Sequence, residues 1–220
     1  MRHPLDEERV FPLVATLRQL LEPAEAPRQR CELCDAPLSD EHGHLVDTRS
    51  RRLLCACRMC ATAGGRYRAV PTRYVRLPRM ALSLTDWEAI GIPVDLAFFF
   101  FNSDLGRVVA CYPGPMGAAE SLLPLDAWPA LAERIPWIGT LAPDVEALLV
   151  RRAADEYAAF IVPIDVCYEL GGRIRRAWTG FGGGATAQRA IDEFFATVLE
   201  RSVESAPATP RSHGYGQERT

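Results

Sequence analysis

Cys31-Glu32-Leu33-Cys34 and Cys57-Arg58-Met59-Cys60 are two Cys-x-x-Cys pairs separated by 22 residues. The tight turn of such a pair aims two sulfurs at one point, so two pairs brought together complete a tetrahedral site of four sulfurs. The separation slightly exceeds the roughly 15–20 residues usual between such pairs, and a two-stranded excursion accommodates the difference. We therefore predict one metal site with Cys31, Cys34, Cys57 and Cys60 as its ligands.

A β-hairpin is predicted between the two pairs. His44–Asp47 and Arg52–Cys55 have strand-like sequences, and the polar residues 48–51 form the turn. This arrangement is similar to a zinc ribbon. Three further side chains, those of Cys55, His42 and His44, are close enough in the sequence to replace one of the four cysteines, so the exact ligand set stays open.

Zinc is the expected ion, and it is expected to be structural. Five of the seven cysteines fall within residues 31–60, which favours metal ligation over disulfides in a chain without a secretory signal. Four thiolates leave zinc no open position for a substrate water, whereas iron in the same geometry would permit one-electron chemistry, as in rubredoxins. Buried free thiols and a redox dithiol are the alternatives to a metal site.

The rest of the chain predicts an α+β protein in four segments. Residues 1–30 form an N-terminal helix, 6–22, and a linker; residues 31–80 form the metal module; residues 81–202 form an α+β domain; residues 203–220 form a disordered tail. Strands and helices do not alternate regularly in the domain, which argues against a doubly wound sheet. Its expected elements are strands at 95–101, 107–112 and 158–164, and helices at 126–134, 143–151, 165–178 and 186–201.

No catalytic constellation stands out, and the sequence leans against an enzyme without excluding one. All 25 basic residues are arginine, so a Walker A lysine, a Schiff-base lysine and a lysine general base are excluded. Gly180-Phe181-Gly182-Gly183-Gly184 lacks the spacing of a dinucleotide-binding loop. Cys167 has no histidine nearby in the sequence, and a core role is expected for it.

The charge is distributed unevenly along the chain. Residues 31–80 contain nine Arg and five Asp or Glu, a net charge of +4, whereas residues 81–220 contain eleven Arg and eighteen Asp or Glu, a net charge of −7. The basic module could meet an acidic protein partner or face its own domain. Arginines 49, 51, 52 and 58 also leave nucleic-acid binding as a weaker alternative. No apolar run has the length of a transmembrane helix, and the charged first residues do not form a secretory signal, so a cytoplasmic protein without membrane insertion is expected.

Several segments resemble one known protein family: CELCDAPL, LLCACRMC, ESLLPLDAW, PDVEALLV, VPIDVCYELGGRIR and WTGFGGG. The resemblance spans about residues 31–200 and is most specific at the cysteines. This family is uncharacterised and mainly actinobacterial, and its genes lie beside those of high-affinity, actinobacterial-type nickel–iron hydrogenases. The resemblance implies an accessory role in hydrogenase maturation, assembly or electron flow, with hydrogenase subunits or maturation factors as partners. Many relatives have Gly in place of Asp35, so the first turn is expected to be less than ideal here.

Overall fold

The computed structural model describes residues 29–79, 81–114, 116–121, 125–153, 156–180 and 183–205. The helix predicted at 6–22 and most of the predicted tail lie outside these ranges. Within them the protein contains one small sheet, one large sheet and four α-helices, with a long helix near the C-terminal end. The predicted α+β class, with a cysteine cluster beside a hairpin, is confirmed.

The small sheet contains the predicted hairpin. Strands β1 (Gly43–Asp47) and β2 (Arg52–Ala56) pair antiparallel, and β3 (Tyr67–Ala69) adds to the other edge of β1. Arg51 closes the hairpin turn with a φ of 56°, and its N–H donates to the carbonyl of Asp47. The order β2-β1-β3 makes β1 the central strand of the module.

The large sheet has seven strands among the described residues. They are β4 (Val75–Arg76), β5 (Leu96–Asn102), β6 (Arg107–Gly114), β7 (Gly117–Glu120), β8 (Glu146–Ala153), β9 (Glu156–Pro163) and β10 (Val203–Glu204). Their order is β10-β4-β9-β8-β5-β6-β7, and all neighbours are antiparallel except β10 and β4. Two of these strands lie outside the predicted 81–202 domain: β4 belongs to the predicted metal module 31–80, and β10 belongs to the segment 203–220.

The four described helices flank this sheet: α1 (Leu84–Ile90), α2 (Trp128–Arg134), α3 (Ile164–Ala177) and α4 (Gly184–Arg201). The capping box of α1 is formed by Ser83 and Asp86, where the Ser83 hydroxyl accepts from the Asp86 N–H and the Asp86 carboxylate accepts from the Ser83 N–H. Gly91 ends α1 in the left-handed conformation that favours glycine.

Hydrophobic side chains cover both faces of the large sheet. Phe98, Leu149 and other residues of one face pack with α3 and α4, whereas Phe99 and Leu148 pack with α1 and α2 on the other. The helix predicted at 143–151 is therefore wrong. Those residues include the central strand β8, whose first five residues are all buried. A continuous apolar run is compatible with a strand buried on both faces and also with a buried helix. Here the run pairs with neighbouring strands in the large sheet and is a strand.

The hairpin of the small sheet lies between two hydrophobic clusters. Leu45 and Leu54 point into a small core that also contains Cys31 and Ala56. Val46, on the opposite face of β1, is buried in the main core, the cluster that includes side chains of α3 and α4, and Leu53 packs against the same core. The module thus has its own minimal core on one face and is docked on the domain by the other.

Candidate metal centre

Each Cys-x-x-Cys pair is shaped by a local turn. In the first, the N–H of Asp35 donates to the carbonyl of Cys31 at 2.8 Å, and Asp35 has a φ of 62°. In the second, the N–H of Ala61 donates to the carbonyl of Cys57 at 2.9 Å. The positive φ of Asp35 agrees with the expectation that glycine suits this position better. Each turn leaves its two sulfurs on the same side of the backbone.

Glu32 joins the first turn to the end of β2. Its N–H donates to the carbonyl of Cys55 at 2.9 Å, and its carboxylate accepts from the N–H of Cys55 at 2.7 Å. The same carboxylate accepts from Arg52 at 3.2 Å. These bonds fix the first pair beside the strand that leads directly to the second pair.

The four predicted sulfurs converge. The Sγ atoms of Cys31, Cys34, Cys57 and Cys60 all lie within 4.8 Å of one another, and those of Cys34 and Cys57 are 3.7 Å apart. Zn–S bonds of about 2.3 Å at tetrahedral angles place ligand sulfurs about 3.8 Å apart. The arrangement could therefore hold one metal ion. Zinc and iron share this geometry, and the positions of the sulfurs do not distinguish between them.

The surroundings of the sulfurs favour negative charge at some of them. The backbone N–H of Cys57, together with those of Leu33 and Cys34, lowers the pKa of the Cys31 thiol to about 6. The backbone N–H of Cys60 lowers the pKa of Cys57. The neighbouring sulfurs of Cys34 and Cys57 raise the pKa of Cys60 to about 12. Four thiolates in such close contact need a cation to offset their charge.

Cys55, His42 and His44, named from sequence as substitute ligands, form a group of their own. One ligand atom from each lies within 4.8 Å of the other two. Nδ1 of His44 also lies 2.7 Å from a carboxylate oxygen of Asp165, at the start of α3. That carboxylate raises the pKa of His44. Sequence reasoning missed the contact with Asp165, because 121 residues separate it from His44.

The other candidates from the sequence gain little support as sites. Cys167 is completely buried, and burial raises the pKa of its thiol well above the ordinary value. The glycine-rich segment 180–184 is described only in part. Two of the four arginines considered for nucleic-acid contacts are engaged in ion pairs, Arg51 with Glu120 at 2.7 Å and Arg52 with Glu32. No helix in the described ranges has the length and hydropathy needed to cross a membrane.

Comparison with known proteins places the chain in one family. No curated protein and no solved structure matches it significantly. A family model described as a family of unknown function, DUF5947, matches residues 30–202. The match begins just before the first cysteine pair and ends just before β10, so it includes both candidate metal groups and most of the large sheet. The chain therefore belongs to the DUF5947 family of unknown function.

Proposed function

We propose that the protein is a non-enzymatic zinc-binding accessory protein whose four-cysteine site folds a module that contacts a protein partner. The convergence of the four sulfurs carries this proposal, with Cys34 and Cys57 already at the separation of two zinc ligands. Four thiolates saturate zinc, so the role of the ion is to hold the two turns together. The small core of the module has only four buried residues, so we expect the module to need the bound ion in order to fold.

Metal analysis of the purified full-length protein tests the zinc proposal. After dialysis against EDTA we expect a colourless protein that retains about one zinc per chain, because a closed four-sulfur site exchanges its ion slowly. Cys57→Ser is expected to lose this ion, whereas Cys111→Ser, a change at a cysteine in the main core, retains it. Retention of the ion by Cys57→Ser would overturn the proposed ligand set.

A rubredoxin-like iron electron carrier is the second candidate. Cys34 is exposed at the surface of the module, and an exposed ligand offers a short path for an electron. A four-sulfur site accepts iron as readily as zinc in geometric terms. A red colour and about one iron per chain in protein purified without added metal would favour this candidate over the structural zinc site.

We propose, from the sequence resemblance, that the protein partner takes part in hydrogenase maturation or assembly. The basic module presents Met59, 82% exposed, between the two cysteines of the second pair. An exposed apolar side chain on a metal-fixed turn suits contact with a protein, and the surrounding arginines suit an acidic one. The module is therefore the surface that we expect to bind a hydrogenase subunit or maturation factor.

Co-purification of tagged full-length protein with hydrogenase subunits tests this role. Met59→Glu is expected to keep the metal and lose the partner, whereas Met116→Glu, at the equally exposed methionine between β6 and β7, keeps both. Deletion of the gene should impair hydrogenase assembly and activity. Unchanged assembly and activity after deletion would refute the hydrogenase role and would not affect the zinc proposal.

A further inference from the structure

The cluster of His42, His44 and Cys55 follows from the geometry of the hairpin. His42 precedes β1 and lies two residues before His44, so the two side chains project to the same side of the extended chain. His44 and Cys55 are directly opposite each other in the β1–β2 ladder. Residues that face each other across two strands present their side chains on the same face. All three side chains therefore lie on the face of the hairpin that is turned away from the small core.

The distances within the cluster suit metal ligation. The ligand atoms lie within 4.8 Å of one another, and the two imidazole rings meet edge to face with centroids 5.1 Å apart. Zinc bonds of about 2.0–2.3 Å to nitrogen and sulfur require separations of about 3.3–3.8 Å. The separations within the 4.8 Å limit allow three such bonds to one ion after small side-chain rotations.

The hydrogen bonds of both imidazoles leave the same nitrogen free. Nδ1 of His42 lies 3.0 Å from the carbonyl oxygen of Ser39, and Nδ1 of His44 lies 2.7 Å from the Asp165 carboxylate. Both partners are acceptors, so each Nδ1 carries the proton and donates it. In the neutral ring each Nε2 then presents a lone pair, and at His44 a metal ion competes for it with a proton, because the Asp165 carboxylate raises the pKa of His44. Metal-binding histidines show this arrangement, in which the second nitrogen donates to a carbonyl or a carboxylate and orients the ring.

Nε2 of His42 provides an independent indication of a ligand. This atom is buried and has no hydrogen-bond partner among the described residues. A buried acceptor without a partner destabilises the fold, and a metal ion bound to it would remove that cost. A Cys–His–Asp catalytic triad of Cys55, His44 and Asp165 is the rival interpretation, but a triad gives His42 no role.

We propose that His42, His44 and Cys55 form a second metal site, for a divalent transition ion of the zinc and cobalt class, distinct from the four-cysteine site. Two imidazoles and one thiolate suit such ions. Three protein ligands leave one coordination position open for water or for a group from a partner, in contrast to the closed site. Asp165 acts as a positioning residue, because it orients His44 and connects the site to α3 of the domain.

Titration of EDTA-dialysed full-length protein with Co²⁺ tests the second site. Zinc keeps the four-sulfur site filled, so we expect one equivalent of Co²⁺ per chain, with the absorption of a tetrahedral ion bound by nitrogen and sulfur. Cys55→Ser and the double variant His42→Ala, His44→Ala should each bind no Co²⁺. Circular dichroism checks that these variants are folded, and Cys55→Ser is the gentler change. No Co²⁺ bound by the wild type, or one equivalent bound by these variants, would overturn the proposal.

Asp165 and Glu169 provide a matched pair of variants. Asp165→Asn is expected to weaken Co²⁺ binding at the second site by about 10–100-fold, as loss of such an orienting carboxylate does elsewhere. Glu169→Gln, one helical turn further along α3, changes a carboxylate that pairs with Arg173 and should leave the affinity unchanged. Equal effects of the two variants would mean that general charge, and not the orientation of His44, governs binding.

Alkylation of Cys55 separates the metal site from the catalytic triad. With a metal site, added Zn²⁺ slows the reaction of Cys55 with iodoacetamide, measured by mass spectrometry of its peptide, and His42→Ala abolishes this protection. Rapid alkylation that depends on His44 but neither on His42 nor on Zn²⁺ would identify a nucleophile and overturn the metal site. The four-sulfur site has its own test in Cys57→Ser, so the two proposals fail separately.

Discussion

Leu45 and Val46 are neighbours on β1 that face different cores. Replacing each with alanine tests whether the metal module and the domain unfold separately. Leu45 is completely buried in the small core of the module, and Val46 is 6% exposed in the main core. Side chains alternate along a strand, so alanine at position 45 leaves a cavity on one side of the hairpin and alanine at position 46 leaves a cavity on the other. The two variants therefore perturb different structures from almost the same point in the sequence.

The expected magnitudes follow from the groups that are removed. Leu45→Ala deletes three buried carbon groups, and such changes cost about 2–5 kcal/mol. The small core has only four buried residues and can partly collapse, so a value near 2–3 kcal/mol is expected. Val46→Ala deletes two carbon groups and should cost about 2 kcal/mol, from about 0.8 kcal/mol for each group plus a small cavity term.

Hydrogen exchange measured by mass spectrometry distinguishes the two effects. Leu45→Ala should accelerate exchange in the hairpin by roughly 30- to 140-fold, since about 1.4 kcal/mol corresponds to a factor of ten, and should leave the central strand β8 unchanged. Val46→Ala should accelerate exchange in the hairpin and also lower the melting temperature of the domain. Equal acceleration in β8 for both variants would refute the reasoning, because the module and the domain would then unfold as one unit.

Three further predictions concern the module and helix α1. Cys57→Ser should release the metal of the four-sulfur site and unfold the hairpin while circular dichroism still shows the folded domain, and Cys55→Ser should leave that metal in place by metal analysis. Asp35→Ala should be about 1 kcal/mol less stable than Asp35→Gly in urea unfolding, because the φ of 62° strains a side chain with a Cβ and not glycine. Burial opposes ionisation of Asp86, but hydrogen bonds from Ser83 and the ion pair with Arg134 outweigh it and lower the pKa of Asp86 below its ordinary 3.8. A carboxyl group with a lowered pKa stabilises the folded protein at every pH above its pKa in the unfolded chain. The stability difference between wild type and Asp86→Asn should therefore be full at neutral pH and disappear as the pH falls through the lowered pKa. Melting temperatures of both proteins measured against pH check this.

Local patterns in the sequence predicted those features that depend on local chemistry. The two cysteine pairs and the hairpin between them were found from spacing and alternation. The helix predicted at 165–178 is α3 to within one residue at each end, although Gly171 counts against a helix. The structure gives a reason for this glycine: a Cβ at Gly171 would lie 3.3 Å from the backbone nitrogen of Ala118, a tight contact, so glycine eases the close approach of β7 to the helix.

Features that depend on distant contacts could not be predicted in the same way. The run at 143–151 has no clear period, and its assignment to β8 follows from apolar layers on both faces of the sheet, which are supplied by residues far away in the sequence. The cluster of His42, His44 and Cys55 was within reach, because the register of the predicted hairpin pairs His44 with Cys55. The contact between Asp165 and His44 could not be predicted from the sequence, since only the docking of the module on the domain brings the two residues together.

The two candidate metal groups have different chemical capacities, and this difference bears on where any activity must reside. Four sulfurs around one ion leave no position for a further ligand, so the first group can hold a fold but cannot bind a substrate through its metal. The group of His42, His44 and Cys55 leaves a position open, and its link through Asp165 reaches the domain. A metal-dependent step, or a contact in which a partner supplies the fourth ligand, is therefore expected to fail in Cys55→Ser even though the module stays folded. Loss of the same step only when the four-sulfur site is broken would instead assign the module a purely structural role.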